Sequence, residues 1–199
     1  VFSNVTSIGP IQDTSWTPGN GPTNYNSRFG AAAQIRRNSR LSIHNTIFLG
    51  WPRGLEIAQT PTMVAAVADS VFVRNCSFFG IKISVFNLAG GTAPLGFDLT
   101  WINEATFNNQ SAVTSPNLAQ LKAAFGNGFD LNPVPYSSAP YLTTASFAGG
   151  GASRIDDPFF EHVEYQGAFS QIEQDRWDAG WTNYDPVNTE YKASVNVML

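Results

Sequence analysis

The chain has a formal net charge of −4 and 199 residues, a length that suits one domain, with two small ones as the alternative. Hydrophobic residues make up 43% of it, enough for a sizeable core, but charged residues only 13%, about half the usual share. That balance excludes a coiled coil, a charged disordered tail and a basic nucleic-acid binder; the polarity comes instead from uncharged groups, with 17 Asn beside 17 Gly and 12 Pro.

The chain opens inside an apolar segment, Val1-Phe2, with no leader-like stretch. It reads as the C-terminal piece of a longer polypeptide, whose upstream part is one expected partner. No stretch approaches the roughly 20 apolar residues of a membrane span, so direct membrane insertion is not expected. The one cysteine, Cys76, rules out an internal disulfide and a cysteine-based zinc site. It lies in the apolar run Val71 to Phe79 and reads as a small buried hydrophobe.

Self-comparison gives the strongest signal. Asn4-Val5-Thr6-Ser7-Ile8-Gly9 matches Asn45-Thr46-Ile47-Phe48-Leu49-Gly50, and both match Asn75-Cys76-Ser77-Phe78-Phe79-Gly80. Each is Asn, four residues, then Gly. Asn103-Glu104-Ala105-Thr106-Phe107-Asn108 reads as a fourth copy, with Asn108 in the glycine position. Before these asparagines, Leu41-Ser42-Ile43-His44, Val71-Phe72-Val73-Arg74 and Leu99-Thr100-Trp101-Ile102 alternate with period two, as strands with one buried face do. Spacings of 41, 30 and 28 between the asparagines point to stacked coils. The reading is an all-β fold, a right-handed parallel β-helix of three to five coils. Asn4, Asn45, Asn75 and Asn103 would stack their amides as a ladder at one bend, and Gly9, Gly50 and Gly80 would supply the turns. Asn4, Asn75 and Asn109 fit the glycosylation pattern, which for the ladder asparagines is read as accidental.

The extra length of the first interval falls in Gln12 to Phe29, a polar loop with Trp16 and Tyr25, read as a structural excursion with a binding loop as the alternative. Arg36, Arg37 and Arg40 then form a local basic spot, by default a solvated face, with contact to an acidic glycan as the alternative. Ser115-Pro116 starts a predicted helix with Leu118, Leu121 and Phe125 on one face, ending at Gly126 or Gly128. Residues 132–140 hold three Pro and form a loop; Thr144 to Gly149 reads as a degenerate fifth coil. The tail carries Phe159, Phe160, Tyr165, Phe169, Trp177, Trp181, Tyr184 and Tyr191. A capping-box pattern at Ser170 to Glu173 predicts a short helix over 171–179. A parallel stack cannot end bare, so this tail is expected to close its last coil as an aromatic cap, with a sugar-stacking platform as the alternative. The expected units are coils over 1–110, a helix, Pro-rich loop and degenerate coil over 111–155, and the cap over 156–199.

Asp157-Pro158-Phe159-Phe160-Glu161, Tyr165-Gln166-Gly167-Ala168-Phe169 and the run Trp177-Asp178-Ala179-Gly180-Trp181-Thr182-Asn183-Tyr184-Asp185-Pro186 are distinctive. They resemble the C-terminal region of a group of uncharacterised secreted or cell-surface parallel β-helix proteins of Bacteroidota, often cargo of the type IX secretion route. Ile35 to Ser39 and Gly50 to Leu55 are similar to the same group, and the likeness covers most of residues 30–191. The resemblance implies an extracellular or outer-membrane-surface location and a β-helix fold. It implies no catalytic residue.

Polysaccharide lyases and hydrolases use clustered carboxylates on neighbouring coils. Over residues 1–110 the acids are Asp13, Glu56, Asp69, Asp98 and Glu104, and none recurs at one coil position. His44 reads as a hydrogen-bonded strand residue and His162 as a surface one. Glu173, Asp175, Asp178 and Asp185 are the one acidic group that could gather calcium, but their spacing fits no EF-hand and no metal or cofactor is expected. The expected function is therefore non-enzymatic: a structural or adhesive extracellular module, contacting glycans or another surface protein. The alternatives are a fragment of a polysaccharide lyase or hydrolase with its catalytic coils upstream, and an assembly component that docks by its open N-terminal coil. Nucleic acid is not an expected partner.

Overall fold

A computed structural model of the chain describes residues 1–113, 115–125 and 131–190. Over its first half the chain passes repeatedly through three parallel sheets. The first pass contributes β1 (Phe2–Ser3) and β2 (Thr6–Ile8), makes a loop holding the two-residue bridge of β3 (Thr17–Pro18) and β4 (Asn24–Tyr25), and finishes in β5 (Ala31–Ile35). The second runs through β6 (Ser42–His44), β7 (Ile47–Leu49) and β8 (Arg53–Ala58), then α1 (Thr60–Val67). The third runs through β9 (Phe72–Arg74), β10 (Ser77–Phe79) and β11 (Ser84–Ala89), and a fourth adds β12 (Gln110–Val113). The sheets are ordered β1-β6-β9, β2-β7-β10-β12 and β5-β8-β11, with every ladder in them parallel. Each pass thus lays one strand on the matching strand of the pass before. Identical positions become neighbours: Ser7, Phe48 and Phe78 share one rung, and Ile8, Leu49 and Phe79 the next.

That register builds the core. Phe48 and Phe78 stack with centroids 4.9 Å apart, flanked by buried Ile43, Val73, Leu55 and Ile57. Such offset aromatic pairs add to the stabilisation that burial itself supplies. Beyond the third pass, Phe86, Phe97, Trp101 and Phe107 pack edge to face and tilted against one another. At the other end β1, β2 and β5 are all edge strands. Between them lies an apolar depression of about 250 Å³ lined by Phe2, Val5, Ala32, Ala33, Ile43 and Phe48, among others.

Several expectations are corrected. Residues 99–102 are not a strand: Trp101–Asn103 and Ala105–Phe107 are single 3-10 turns, because Trp101, Ile102 and Phe107 fold inward together as core. No helix runs from Ser115 to Phe125. A 3-10 turn at Pro116–Ala119 stops where Gln120 turns left-handed, and the chain continues as β13 (Leu121–Ala123), antiparallel to β14 (Asn132–Pro135). Gly126 and Gly128 lie outside the described residues. The helix expected over 171–179 contracts to a 3-10 turn at Glu173–Asp175. Thr144 to Gly149 forms no strand and so no fifth coil. The sequence reading missed α1, an eight-residue helix with Pro61 in its first turn and Met63, Ala65 and Ala66 buried. No helix among the described residues is long and apolar enough to cross a membrane.

Candidate functional site

The repeat asparagines mark the corner between the first and second sheets. Asn4, Asn45 and Asn75 stand between β1 and β2, β6 and β7, and β9 and β10. All three are left-handed, with φ of 53°, 49° and 52°. Asn tolerates that region better than most side chains, so it lets each pass turn sharply without glycine's entropy cost. The backbone repeats as well. The amide of Asn4 donates to the His44 carbonyl at 3.1 Å, that of Asn45 to Arg74 at 3.2 Å, and that of Asn75 to Phe107 at 2.8 Å.

The fourth corner residue is Asn108, not Asn103. Asn108 has φ 52° and stands two residues before the start of β12, as Asn75 stands two before β10, and its side-chain Nδ2 donates to Asn75 Oδ1 at 3.0 Å. Asn103 closes a 3-10 turn, is exposed, and accepts a hydrogen bond from the Ser111 hydroxyl. Two extra turns shift the corner five residues along the chain. Nor do the amides stack as one continuous ladder: among the described residues Asn75 and Asn108 are bonded amide to amide, whereas Asn4 and Asn45 bind Tyr165 and Ser146.

The lower corners are instead bound by a strap from the C-terminal region. Asn45 Oδ1 accepts the Ser146 backbone N–H at 2.9 Å, and the Gly167 N–H donates to the Asn45 carbonyl at 2.8 Å. Asn4 Nδ2 donates to the Tyr165 carbonyl at 2.7 Å. The Ser77 hydroxyl donates to Gln166 Oε1 at 2.7 Å, and the Ala168 N–H donates to Thr6 Oγ1 at 2.9 Å. Farther along, Arg154 Nη1 donates to Ser42 Oγ at 2.6 Å, with the guanidinium 4.8 Å from the Phe72 ring centroid. Gly167 is needed for contact as well as conformation. It has φ 85°, and a Cβ there would lie 2.6 Å from Ile47 Cδ1 and 2.7 Å from Thr6 Oγ1. Residues 141–169 therefore cross three passes along their side. The C-terminal region is not a plug on the last coil as expected, because its backbone and side-chain polar groups find their partners at the corner.

Of the three turn glycines, Gly50 and Gly80 are left-handed, with φ 67° and 58°. Gly9 is not. It is needed for close approach, since a Cβ there would lie 2.3 Å from the Gly50 carbonyl oxygen.

Behind the corner, His44 and Arg74 are register partners on adjacent strands, both buried. Burial, and then the charges of Arg74 and Arg154, hold the imidazole down at about 4, so His44 is neutral at physiological pH. The Arg74 guanidinium lies 3.7 Å from the Phe107 ring centroid, a cation–π contact that offsets part of its desolvation. Burial pushes the Cys76 thiol up to about 12, so it is not a nucleophile. Asn109 Oδ1 accepts the Cys76 N–H at 2.9 Å, which commits that glycosylation-pattern amide to the fold.

The acidic group does not converge. Glu173 pairs with Lys122 and accepts from Asn132 Nδ2 at 2.7 Å. Asp178 is buried, receives Arg176 Nε at 2.9 Å and Nη2 at 2.6 Å, and accepts the Tyr184 hydroxyl at 2.7 Å. Hydrogen bonding from Arg176 first, then from Tyr184, holds its carboxyl at about 2. Asp185 binds the Asn188 amide at 2.9 Å and 3.0 Å, and Asp175 is exposed. Among the described residues no three His, Cys, Asp or Glu side chains group as metal ligands. His162 is exposed and stacks on Phe147 at 4.0 Å. Arg36, Arg37 and Arg40 are exposed, as a solvated face would be. The loop carrying Trp16 buries Tyr25, and Lys82 Nζ donates to its Thr14 carbonyl at 2.5 Å.

The tail aromatics do not form a buried cap. Phe169 is buried, but Phe159, Trp177 and Trp181 keep 85%, 56% and 69% of their surface exposed. Tyr191 lies outside the described residues. The exposed rings are nevertheless fixed. Trp177 stacks on Phe169 at 5.6 Å and donates its indole N–H to the Ala168 carbonyl at 2.8 Å. Trp181 packs 5.6 Å from Trp177 and donates to the Trp177 carbonyl at 2.6 Å. Sequence reasoning named these aromatics and preferred a cap to the outward-facing platform that was its alternative. Comparison of the chain with protein-family models, with curated proteins and with solved structures finds no match in any of the three.

Proposed function

We propose that the chain is a right-handed parallel β-helix module of a secreted or cell-surface protein, and that its role is structural and adhesive. Three parallel sheets visited in the same order on the first three passes, with a left-handed Asn at one corner, support the fold. The resemblance of the Trp177 to Pro186 segment to surface proteins of Bacteroidota supports the location. The observation that carries the role is how the polar groups are used. Asn4, Asn45 and Ser77 hold the strap, and the chain beyond it presents a rigid row of aromatic faces outward. Groups committed in this way anchor a display surface; they are not poised for proton transfer or nucleophilic attack.

The test is retention of purified protein on insoluble neutral polysaccharides and on whole cells, run beside assays for new reducing ends and for unsaturated uronate products. Retention with no product is expected. Release of either product would overturn the reading in favour of a lyase or hydrolase fragment.

A second reading rests on the open edges of β1, β2 and β5 around their apolar depression. An edge that presents unpaired backbone beside apolar side chains is a template for further strands. On this reading the module is one component of an assembly, and its first pass receives another coil. Ala33→Glu, placing a charge at that depression, should abolish such association in sedimentation velocity; association that survives it would count against this reading.

A further inference from the structure

We infer that the depression between the first pass and the exposed aromatic row is a binding site for a neutral pyranose of a polysaccharide chain, one whose hydroxyls are equatorial. The inference rests on the adhesive reading and names its ligand class. The depression measures about 280 Å³, the scale of one sugar ring, and Phe159, Phe160, Trp177, Glu161 and Ser3 contribute to its walls. Trp181 extends the floor beyond Trp177.

Three features select this ligand. First, both indole N–H groups are already bonded to backbone carbonyls, so Trp177 and Trp181 offer ring faces and no donors. A flat apolar partner suits such faces, and an equatorially substituted pyranose has one, formed by its C–H groups. Second, the rings are held before any ligand arrives, by the Phe169 stack below Trp177 and by those two bonds, so little side-chain freedom is lost on binding. Third, the charge is wrong for an anion. Glu161 is the ionisable acid among the lining residues, the chain carries a net charge of −4, and the neighbouring Arg176 is held by Asp178 in a two-point pair. Uronate and sulfated chains are therefore repelled, while the Glu161 carboxylate can accept hydrogen bonds from sugar hydroxyls.

The test is isothermal titration of the full chain with cellohexaose, with a galacto-oligosaccharide, whose axial hydroxyl projects from one ring face, with oligogalacturonate, and with tetramethylammonium. Cellohexaose should bind and quench tryptophan fluorescence, and the other three should bind more weakly. Trp177→Ala should weaken cellohexaose roughly tenfold or more, as truncation of an aromatic hot spot does, whereas Trp177→Phe should retain most of the affinity. Glu161→Gln should weaken it several-fold. Trp16→Ala, in the distant loop, should leave it unchanged, and circular dichroism establishes that each variant is folded. Absence of cellohexaose binding, binding indifferent to Trp177→Ala in a folded protein, or preference for the galacto-oligosaccharide, oligogalacturonate or tetramethylammonium would each overturn the inference. Retention on cells that persists in Trp177→Ala would overturn this site while leaving the adhesive role standing.

Discussion

His44 makes the stability of this fold depend on pH in a window of its own. The imidazole titrates near 6.5 when solvated and at about 4 in the folded chain, where burial and then Arg74 and Arg154 oppose its charge. Between those values the unfolded chain binds a proton that the folded chain refuses. Stability is therefore complete above pH 6.5, falls by at most about 1.4 kcal/mol per pH unit below it, and levels off once the folded imidazole also protonates near pH 4. The full loss is about 3 kcal/mol, a large part of the 5–15 kcal/mol typical of a domain. Asp178 does not overlap this window. Its carboxyl is lowered from 3.8 to about 2, so its contribution is present above pH 3.8 and is lost only as pH falls through about 2. The assay is urea denaturation of the parent and of His44→Gln at several pH values from about 7 to about 4, comparing the two slopes of stability against pH. The parent should lose about 3 kcal/mol more than the variant across the window. Parallel curves, differing by less than about 1 kcal/mol, would refute the reasoning.

Further outcomes follow from the corner and the strap. Asn75→Ala should cost about 2 kcal/mol in denaturant melts, since it loses amide bonds to Asn108 and Ser146 and strains a left-handed residue. Asn75→Gly should cost less, because glycine relieves the strain and loses only the amide. Gly167→Ala should loosen the strap, read as faster amide hydrogen exchange at Ala168 and earlier proteolysis between 160 and 170, because its Cβ would press on Ile47 and Thr6. Asp178→Asn should destabilise by about 1–3 kcal/mol and change the near-ultraviolet circular dichroism of the flanking Trp177 and Trp181, as the Arg176 pair weakens.

The corner was legible in the sequence where the chain repeats itself closely. Asn45 and Asn75 are each followed by a three-residue strand and a left-handed glycine, so one short pattern carries both the bend and the register. It failed at the fourth pass because the spacing to glycine was followed when the spacing to the next strand was the physical constraint. Counting back from Gln110 as from Ser77 identifies Asn108. Helix α1 was missed because eight residues rich in Ala and Val give a weak periodic signal. The strap left no local trace. Its bonds join residues as far apart as Asn4 and Tyr165, or Thr6 and Ala168, and such pairings are invisible to any window of sequence. The aromatic tail was read as a cap in preference to a sugar-stacking platform because large rings are usually inside; here Trp177 and Trp181 are anchored by their nitrogens with their faces left in water.

Stacked-repeat chains ordinarily fray from their termini, each unit held only by its neighbours. Here one late stretch of polypeptide is tied to the first, second and third layers at once. None of these three layers can peel away without releasing that tie, so concerted melting of the three is expected. The same tie joins residues from 89 to 161 positions apart, a separation whose loop-closure cost is expected to slow its formation.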